Sequence, residues 1–412
     1  MPKKILFDAR VLQEKNLSGV GTYARELLLS LLRSDQENDY VIFLNAHRQR
    51  EIDHFFENIP ELATTSFVND IAHSSSLTAH RSTLITRFPN KLVTFSWNFS
   101  GFPGLKKRLR GIDLIFSPHI SVFPDTGIPR LVVVHDLTFE RFPQWLTPKA
   151  RLWHRLNAHS AKKADGFITD SWATREDLIR IWRISPDRVS VITPPVKNLA
   201  TDPPLTTSFA NDVAQSSLLK ALDSRLETDD YLLFVGTLEK RKNLVRLVRA
   251  FAELKKDAQF THLKLVLAGS PGNDFKKIKR QIEKYEMQSE VSITGYVSEE
   301  QKAVLYRNAK LFVYPSLYEG YGIPLVEAQQ FDLPIVAANV SSIPEVAGSN
   351  TCLIDPYDET LWSDILKKAL ITRKGNKDHT ILTPKNFIPQ LQTIYHAYAT
   401  IKDNLAFKSI MR

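Results

Sequence analysis

Two glutamates, Glu319 and Glu327, bracket most of the stretch YEGYGIPLVEA (318–328), with Gly320, Tyr321, Gly322 and Pro324 between them. Glycines let a backbone approach a ligand closely and leave N–H groups there to donate. Pro324 suits the first helical position, where its missing N–H costs nothing. Glu327 then falls within the first helical turn or just past it. A carboxylate in that place can accept two hydroxyl hydrogen bonds, which is what a ribose diol offers. Glu319, at the preceding strand end, faces the same crevice. Capping of the helix dipole by Glu327 explains one acid, but leaves the other acid and both glycines without a reason.

A second stretch, VGTLEKRKNL (235–244), ends a strand at Gly236 and sets Lys240, Arg241 and Lys242 before a helix that begins near Asn243. Cations beside a helix N-terminus oppose the helix dipole, so an anion between them is expected, and a diphosphate fits well. A third, SGVGTYARELL (18–28), is a glycine-rich helix entrance with Gly19 and Gly21. It lacks the full G-x-G-x-x-G pattern, yet it offers N–H groups and a positive helix end to a phosphate. In VVVHDLTF (132–139), His135 and Asp136 close a strongly apolar strand, the end at which a parallel sheet presents functional groups. His119, in FSPHISVFP (116–124), is a weaker candidate of the same type. No Cys/His cluster has metal-ligand spacing, and neither a P-loop nor a G-x-S-x-G elbow occurs.

These residues need a scaffold of alternating strands and helices. Apolar runs at 3–9, 39–45, 111–118, 129–137, 164–171 and 189–195 read as strands, with helical patterns at 19–33, 147–163 and 172–182. Residues 197–228 are rich in Pro, Ser, Thr and Asn and read as a linker or insert. The alternation then resumes: strands are expected at 230–238, 263–270, 290–297, 310–316 and 334–339, and helices at 243–256, 275–285, 298–309 and 324–331. Such alternation means βαβ units and parallel sheets. The expected organisation is α/β with two Rossmann-like, doubly wound domains facing a central cleft. Residues 1–196 form the first domain, 197–228 the linker, 229–385 the second domain, and 386–412 a helical segment that packs back on the first.

A chain of 412 residues exceeds the size at which a single core usually stops growing. The lone Cys352 rules out an internal disulfide and fits a reducing compartment. MPKKILFDAR reads as a first strand and not as a signal peptide, and no apolar run approaches a membrane span. The expectation is a cytoplasmic protein, soluble or peripheral at the inner face of a membrane. Of the net charge of +9, seven positive charges lie in the acid-free window 81–110, interleaved with Phe88, Phe95, Trp97, Phe99 and Phe102. Cations beside aromatics suit an anionic membrane surface or a single-stranded nucleic acid.

The five motifs YEGYGIPLVEA, VGTLEKRKNL, VVVHDL, SGVGTYARELL and SSIPEVAG (341–348) resemble the retaining glycosyltransferases of family four, which have the GT-B fold. The resemblance covers nearly the whole chain and is closest in pattern to bacterial mannosyltransferases of surface-polysaccharide assembly. It implies transfer of a hexose, mannose from GDP-mannose, to a glycan or lipid-linked glycan with retention of configuration and without a metal or other cofactor. It assigns His135, Lys242, Arg241 and Glu319 to the catalytic site. Gly19, Gly21, Gly236, Gly320, Tyr321, Gly322 and Glu327 would bind the donor, and Glu345 would support the nucleotide pocket. Many members carry an arginine shortly after the glycine of the second motif; here Thr237 stands there, and Arg241 is expected to supply the second phosphate cation. The resemblance also favours a membrane partner over nucleic acid for residues 81–110. Alternatives are a nucleotide-sugar epimerase of the same fold and a non-catalytic nucleotide-sugar-binding scaffold at a membrane.

Overall fold

The computed structural model describes residues 2–15, 17–35, 37–62, 81–88, 90–194, 196–200 and 230–371. They fall into two compact units, one within Met1–Pro195 and one within Val196–Leu382. Most of the expected linker and all of the expected C-terminal segment 386–412 lie outside the described residues.

In the first unit seven strands pair in the order β3-β2-β1-β4-β5-β6-β7, every pairing parallel. They are β1 (Lys4–Asp8), β2 (Asp39–Asn45), β3 (Arg81–Thr86), β4 (Leu114–Ser117), β5 (Arg130–Val134), β6 (Gly166–Thr169) and β7 (Val189–Val191). In β1, β2, β4, β5 and β6 the apolar residues are buried without alternation, as a sheet covered on both faces requires, and at the two edges Leu84, Ile85 and Val191 are only partly buried. The order reverses between β1 and β4, and ligands of open α/β sheets bind outside the strand ends at such a point. The helix Gly19–Ser34 follows β1 and packs Leu27, Leu28 and Leu31 into the core.

The second unit repeats the plan with β8 (Tyr231–Val235), β9 (Lys264–Ala268), β10 (Val291–Gly295), β11 (Leu311–Tyr314), β12 (Ile335–Ala338) and β13 (Thr351–Ile354). Their order is β10-β9-β8-β11-β12-β13, again all parallel, so the reversal lies between β8 and β11. Two backbones approach closely just past the ends of β8 and β9. Gly269 has φ +153°, and a Cβ there would lie 2.0 Å from the Gly236 carbonyl oxygen, so no other residue fits.

The expected two doubly wound α/β units are present, and their strands and helices fall within a few residues of the predicted ranges. The structure adds the helix Gln49–Asn58, the strand β3, the helix Asn90–Phe99, the strand β13 and the helix Glu359–Ile371. The basic window 81–110 is thus not simply a solvated loop. Val93, Trp97, Leu105 and Leu109 are core residues, which removes Trp97 from the exposed aromatic set. Phe88 is half-buried against the same core, whereas Phe95, Phe99 and Phe102 stay exposed.

Candidate active site

In the second unit the site is built at the strand-order reversal. After β8 the chain runs through Gly236 into a 3₁₀ turn, Lys240–Lys242, and Asn243, at φ 58°, opens the helix Leu244–Leu254. After β11 it reaches Tyr318 and Glu319 before Gly322, at φ 107°, opens the helix Ile323–Gln329. Because β8 and β11 are neighbours, the two loops meet. Lys242 Nζ donates to Glu319 Oε1 at 2.6 Å and to Tyr314 Oη at 3.2 Å. Arg241 donates to Glu319 Oε2, and its Nε donates to Glu239 Oε1 at 2.8 Å. The three neighbouring cations predict an anion, and Glu319 supplies one from within the chain.

Burial alone would raise the Glu319 carboxyl; Arg241 and Lys242 outweigh it and hold it at about 2. Lys242, only 4% exposed, is shifted down by its own burial and by Arg241 beside it, although Glu319 opposes both. A carboxylate held this firmly by two cations is a weak nucleophile and a good fixed negative charge. Gly236, at φ +146°, is where the chain turns under Lys242: a Cβ there would sit 3.5 Å from the lysine Cε.

Glu327 belongs to a separate network. It is 5% exposed; Oε1 accepts from Lys302 Nζ at 2.6 Å and Oε2 from Tyr306 Oη at 2.9 Å. Both partners lie on the helix Glu299–Asn308, which Ser298 and Gln301 start with a capping box. Burial would lower Lys302, but Glu327 and Glu299 raise it above an ordinary lysine. Glu327 is the fifth residue of its helix, and its charge is balanced by Lys302 rather than spent on the helix end. Each carboxylate oxygen can accept a further hydrogen bond, so a diol would share Glu327 with Lys302 and Tyr306.

Two serines that sequence reasoning missed hold the glycine loop. Ser341 Oγ accepts from the Glu319 N–H at 2.9 Å, and Ser342 Oγ donates to the carbonyls of Glu319 and Tyr321 at 3.1 and 2.9 Å. They open the SSIPEVAG motif, in which attention fell on Glu345 instead; Glu345 is exposed on the short helix Ile343–Val346. Gly320 is buried and Tyr321 half-buried within the loop thus held.

In the first unit His135 follows β5, as expected. Its Nδ1 is 2.6 Å from Asp170 Oδ2, past the end of β6, and its Nε2 is 2.9 Å from the Pro118 carbonyl, past the end of β4. Acceptors on both sides require a proton on each ring nitrogen. Burial would lower the imidazole, but Asp170 and the Pro118 carbonyl raise it above its ordinary value, consistent with an imidazolium. The Tyr23 ring packs edge-on against it at 4.6 Å. Asp170 is a second residue missed at the sequence level, although it carries the same signal as His135, a polar group closing an apolar strand. His119 is pushed down to about 4, chiefly by burial, so it is neutral near pH 7.

At the first glycine-rich entrance Ser18 caps the helix, accepting from the Gly21 N–H at 3.3 Å. The two glycines differ in their reason. A Cβ at Gly21 would meet Leu17 Cδ2 at 2.9 Å, which is a packing constraint, whereas one at Gly19 would meet nothing within 4 Å. Of the two, only Gly19 has open space beside it. Among the described residues no group of three or more His, Cys, Asp or Glu could hold a metal ion.

Two family profiles match the chain: Glycosyltransferase Family 4 over residues 17–197 and Glycosyl transferases group 1 over residues 221–381. The chain is 26% identical to O-antigen chain mannosyltransferase B of Escherichia coli over 353 residues, 83% of this chain and 84% of that one. It is 23% identical to O-antigen chain mannosyltransferase RfbU of Salmonella typhimurium over 236 residues, which is 57% of this chain and 59% of that protein. In fold it is similar to HepE of Anabaena, solved in complex with UDP and glucose, with a TM-score of 0.59, 16% identity and 99% of each chain covered.

Proposed function

The chain belongs to the glycosyltransferases of family 4, and we propose that it transfers mannose from GDP-mannose to a glycan or lipid-linked glycan in bacterial surface-polysaccharide synthesis, with retention of configuration. Two O-antigen chain mannosyltransferases among its relatives support the sugar and the product class. The reaction is read as cytoplasmic, with no metal taking part.

The observation that carries this reading is the Lys242–Glu319–Arg241 cluster, with Lys242 and Glu319 buried and Arg241 half-buried, at the reversal between β8 and β11. Transfer breaks the bond between the anomeric carbon and the diphosphate, and negative charge grows on the departing oxygen. Fixed cations at that point lower the barrier because they need no reorganisation as the charge appears. Lys242 and Arg241 are held in place by Glu319, and Ser341 and Ser342 hold the loop that carries Glu319. The acceptor oxygen then bonds to the anomeric carbon on the face the diphosphate leaves, and its proton passes to the diphosphate. Glu319, pinned at low pKa by two cations, is poorly suited to attack the sugar itself, which favours this same-face route over a double displacement. Within the second unit Glu327 holds the ribose, and Gly236 and Gly320 to Gly322 line the donor.

A panel of nucleotide-sugars in thermal denaturation tests the donor. A ligand at a hundred times its Kd adds about 2.7 kcal/mol to the native state, so GDP-mannose is expected to raise Tm above UDP-sugars. Release of GDP from GDP-mannose that depends on added acceptor glycan supports the transferase. Isomerised sugar with no acceptor requirement points to the epimerase, and binding without turnover to the scaffold.

A further inference from the structure

Three aromatic rings lie in a row in the core of the second unit: Phe234 on β8, and Phe312 and Tyr314 on β11, all fully buried. The Tyr314 ring is nearly parallel to the other two, 6.3 Å from Phe234 at 20° and 5.7 Å from Phe312 at 22°. Packing asks only for a ring, and two of the three are phenylalanine. The third closes β11 and carries the one hydroxyl of the row, which accepts from Lys242 Nζ at 3.2 Å. A buried phenol usually finds a partner, and the partner here is the cation assigned to the leaving diphosphate. Burial first, and then Glu319, raise Tyr314 well above an ordinary phenol, so it stays neutral and keeps lone pairs for an ammonium.

A lysine ammonium has three N–H donors. On Lys242 one goes to Glu319 Oε1 at 2.6 Å and one to Tyr314 Oη, and the third has no partner among the described residues. Gly236 leaves room beside it: a Cβ there would lie 3.6 Å from Nζ. An ammonium tied to Glu319 alone can still turn about its last bond, whereas a second acceptor on a rigid strand fixes that rotation. We propose that Tyr314 is a positioning residue for the transfer step: its hydroxyl sets the Lys242 ammonium so that the third N–H is held for an oxygen of the departing diphosphate. This rests on the reading of Lys242 as the group that meets the leaving charge. A donor set in advance needs no reorganisation as that charge appears. The charged and titratable groups facing the ammonium are Arg241 and Glu239 from its own loop, and Tyr314 and Glu319 from β11 and the segment after it. Arg241 lowers the lysine and the two carboxylates raise it. The Tyr314 acceptor also favours the charged form, so its loss lowers the lysine further.

Tyr314→Phe keeps the ring and removes only the hydroxyl. The first measurement needs no substrate: titration of Lys242 by NMR of the full chain with lysine isotope-labelled at Cε, the resonance being assigned by its loss in Lys242→Met. Lys242 is expected to titrate roughly one pH unit lower in Tyr314→Phe than in wild type. The second is GDP release from GDP-mannose with methyl α-mannoside as acceptor. There kcat should fall about tenfold while KM for GDP-mannose stays within about twofold, and the alkaline limb of kcat should move down with the lysine. Phe312→Leu disturbs the same row of rings and leaves the hydroxyl in place; it should lower Tm without moving the lysine titration or kcat. An unchanged Lys242 titration in Tyr314→Phe, a rise in KM with kcat unchanged, or an equal shift in Phe312→Leu would each overturn the proposal. Wild type that releases no GDP would count against the assigned transfer alone, and the lysine titration would still decide whether Tyr314 holds Lys242.

Discussion

Lys242 meets Glu319 in a buried ion pair, Nζ to Oε1 at 2.6 Å, while Arg241 holds the other carboxylate oxygen. A diphosphate entering here must share both cations with Glu319. Glu319→Gln should therefore tighten binding of the nucleoside diphosphate while lowering Tm, because buried Lys242 loses its charged partner while the half-buried Arg241 keeps Glu239; breaking a buried pair from one side costs about 3–5 kcal/mol. Calorimetry with GDP and a thermal melt read the two effects separately. Weaker GDP binding with full stability would mean that Glu319 contacts the ligand rather than restraining its cations.

Lys242→Ala should reduce turnover more than donor affinity, since the lysine is proposed to meet charge that develops as the bond breaks. Removing one such electrostatic donor typically costs about 10²–10³-fold in rate. A large rise in KM with unchanged kcat would identify Lys242 as a ground-state contact only.

Arg241→Ala should lower both activity and Tm, because Arg241 joins Glu239, Glu319 and the Tyr318 carbonyl in one network. Arg241→Lys should recover less than half of the lost rate, as an ammonium cannot reproduce a fork of donors. Full activity in Arg241→Ala would falsify the idea that it takes over from the arginine absent at Thr237.

Glu327→Ala should weaken nucleotide binding through the ribose, each hydrogen bond to the carboxylate contributing about 1.5–3 kcal/mol. The wild-type preference for GDP over 2′,3′-dideoxy-GDP should collapse in this variant. Lys302→Met should weaken GDP binding as well, by leaving the Glu327 charge to Tyr306 alone. If Glu327→Ala keeps the preference, Glu327 and Lys302 form a structural pair with no part in ribose binding.

The His135–Asp170 pair makes the stability of the first unit pH-dependent. His135 is raised above its ordinary 6.5 in the folded chain. Its contribution is thus fully present below about pH 6.5 and is lost as pH rises through the higher folded value. The Tm gap between wild type and Asp170→Asn should be largest under mildly acidic conditions and should shrink toward alkaline pH. A gap that widens with rising pH, or a His135 resonance titrating below 6.5, would show that Asp170 does not hold an imidazolium.

The alternation of apolar strands with amphipathic helices by itself determined the two doubly wound units, because burial on both faces of a parallel sheet writes unbroken apolar runs such as YLLFV and RLVVV into the chain. It also marked the polar groups that close those runs: His135 after β5, the Lys240–Lys242 turn after β8 and Glu319 after β11. Their partners were left to the tertiary structure. Which strand lies beside which is a non-local choice, and only the adjacency of β8 and β11 delivers Lys242 and Arg241 to Glu319. In the same way the β4-β5-β6 order sets His135 between the Pro118 carbonyl and Asp170, and the helix before β11 brings Lys302 and Tyr306 to Glu327. The window 81–110 divided for a similar reason. Charge and composition mark it as one basic stretch, but helix 90–99 has two sides. Its packing on the sheet takes Val93 and Trp97 inward and leaves Leu92, Phe95 and Phe99 outside. The same helix packs against Pro148–Ala161, a helix that begins about fifty residues later and carries the exposed Leu152 and Trp153.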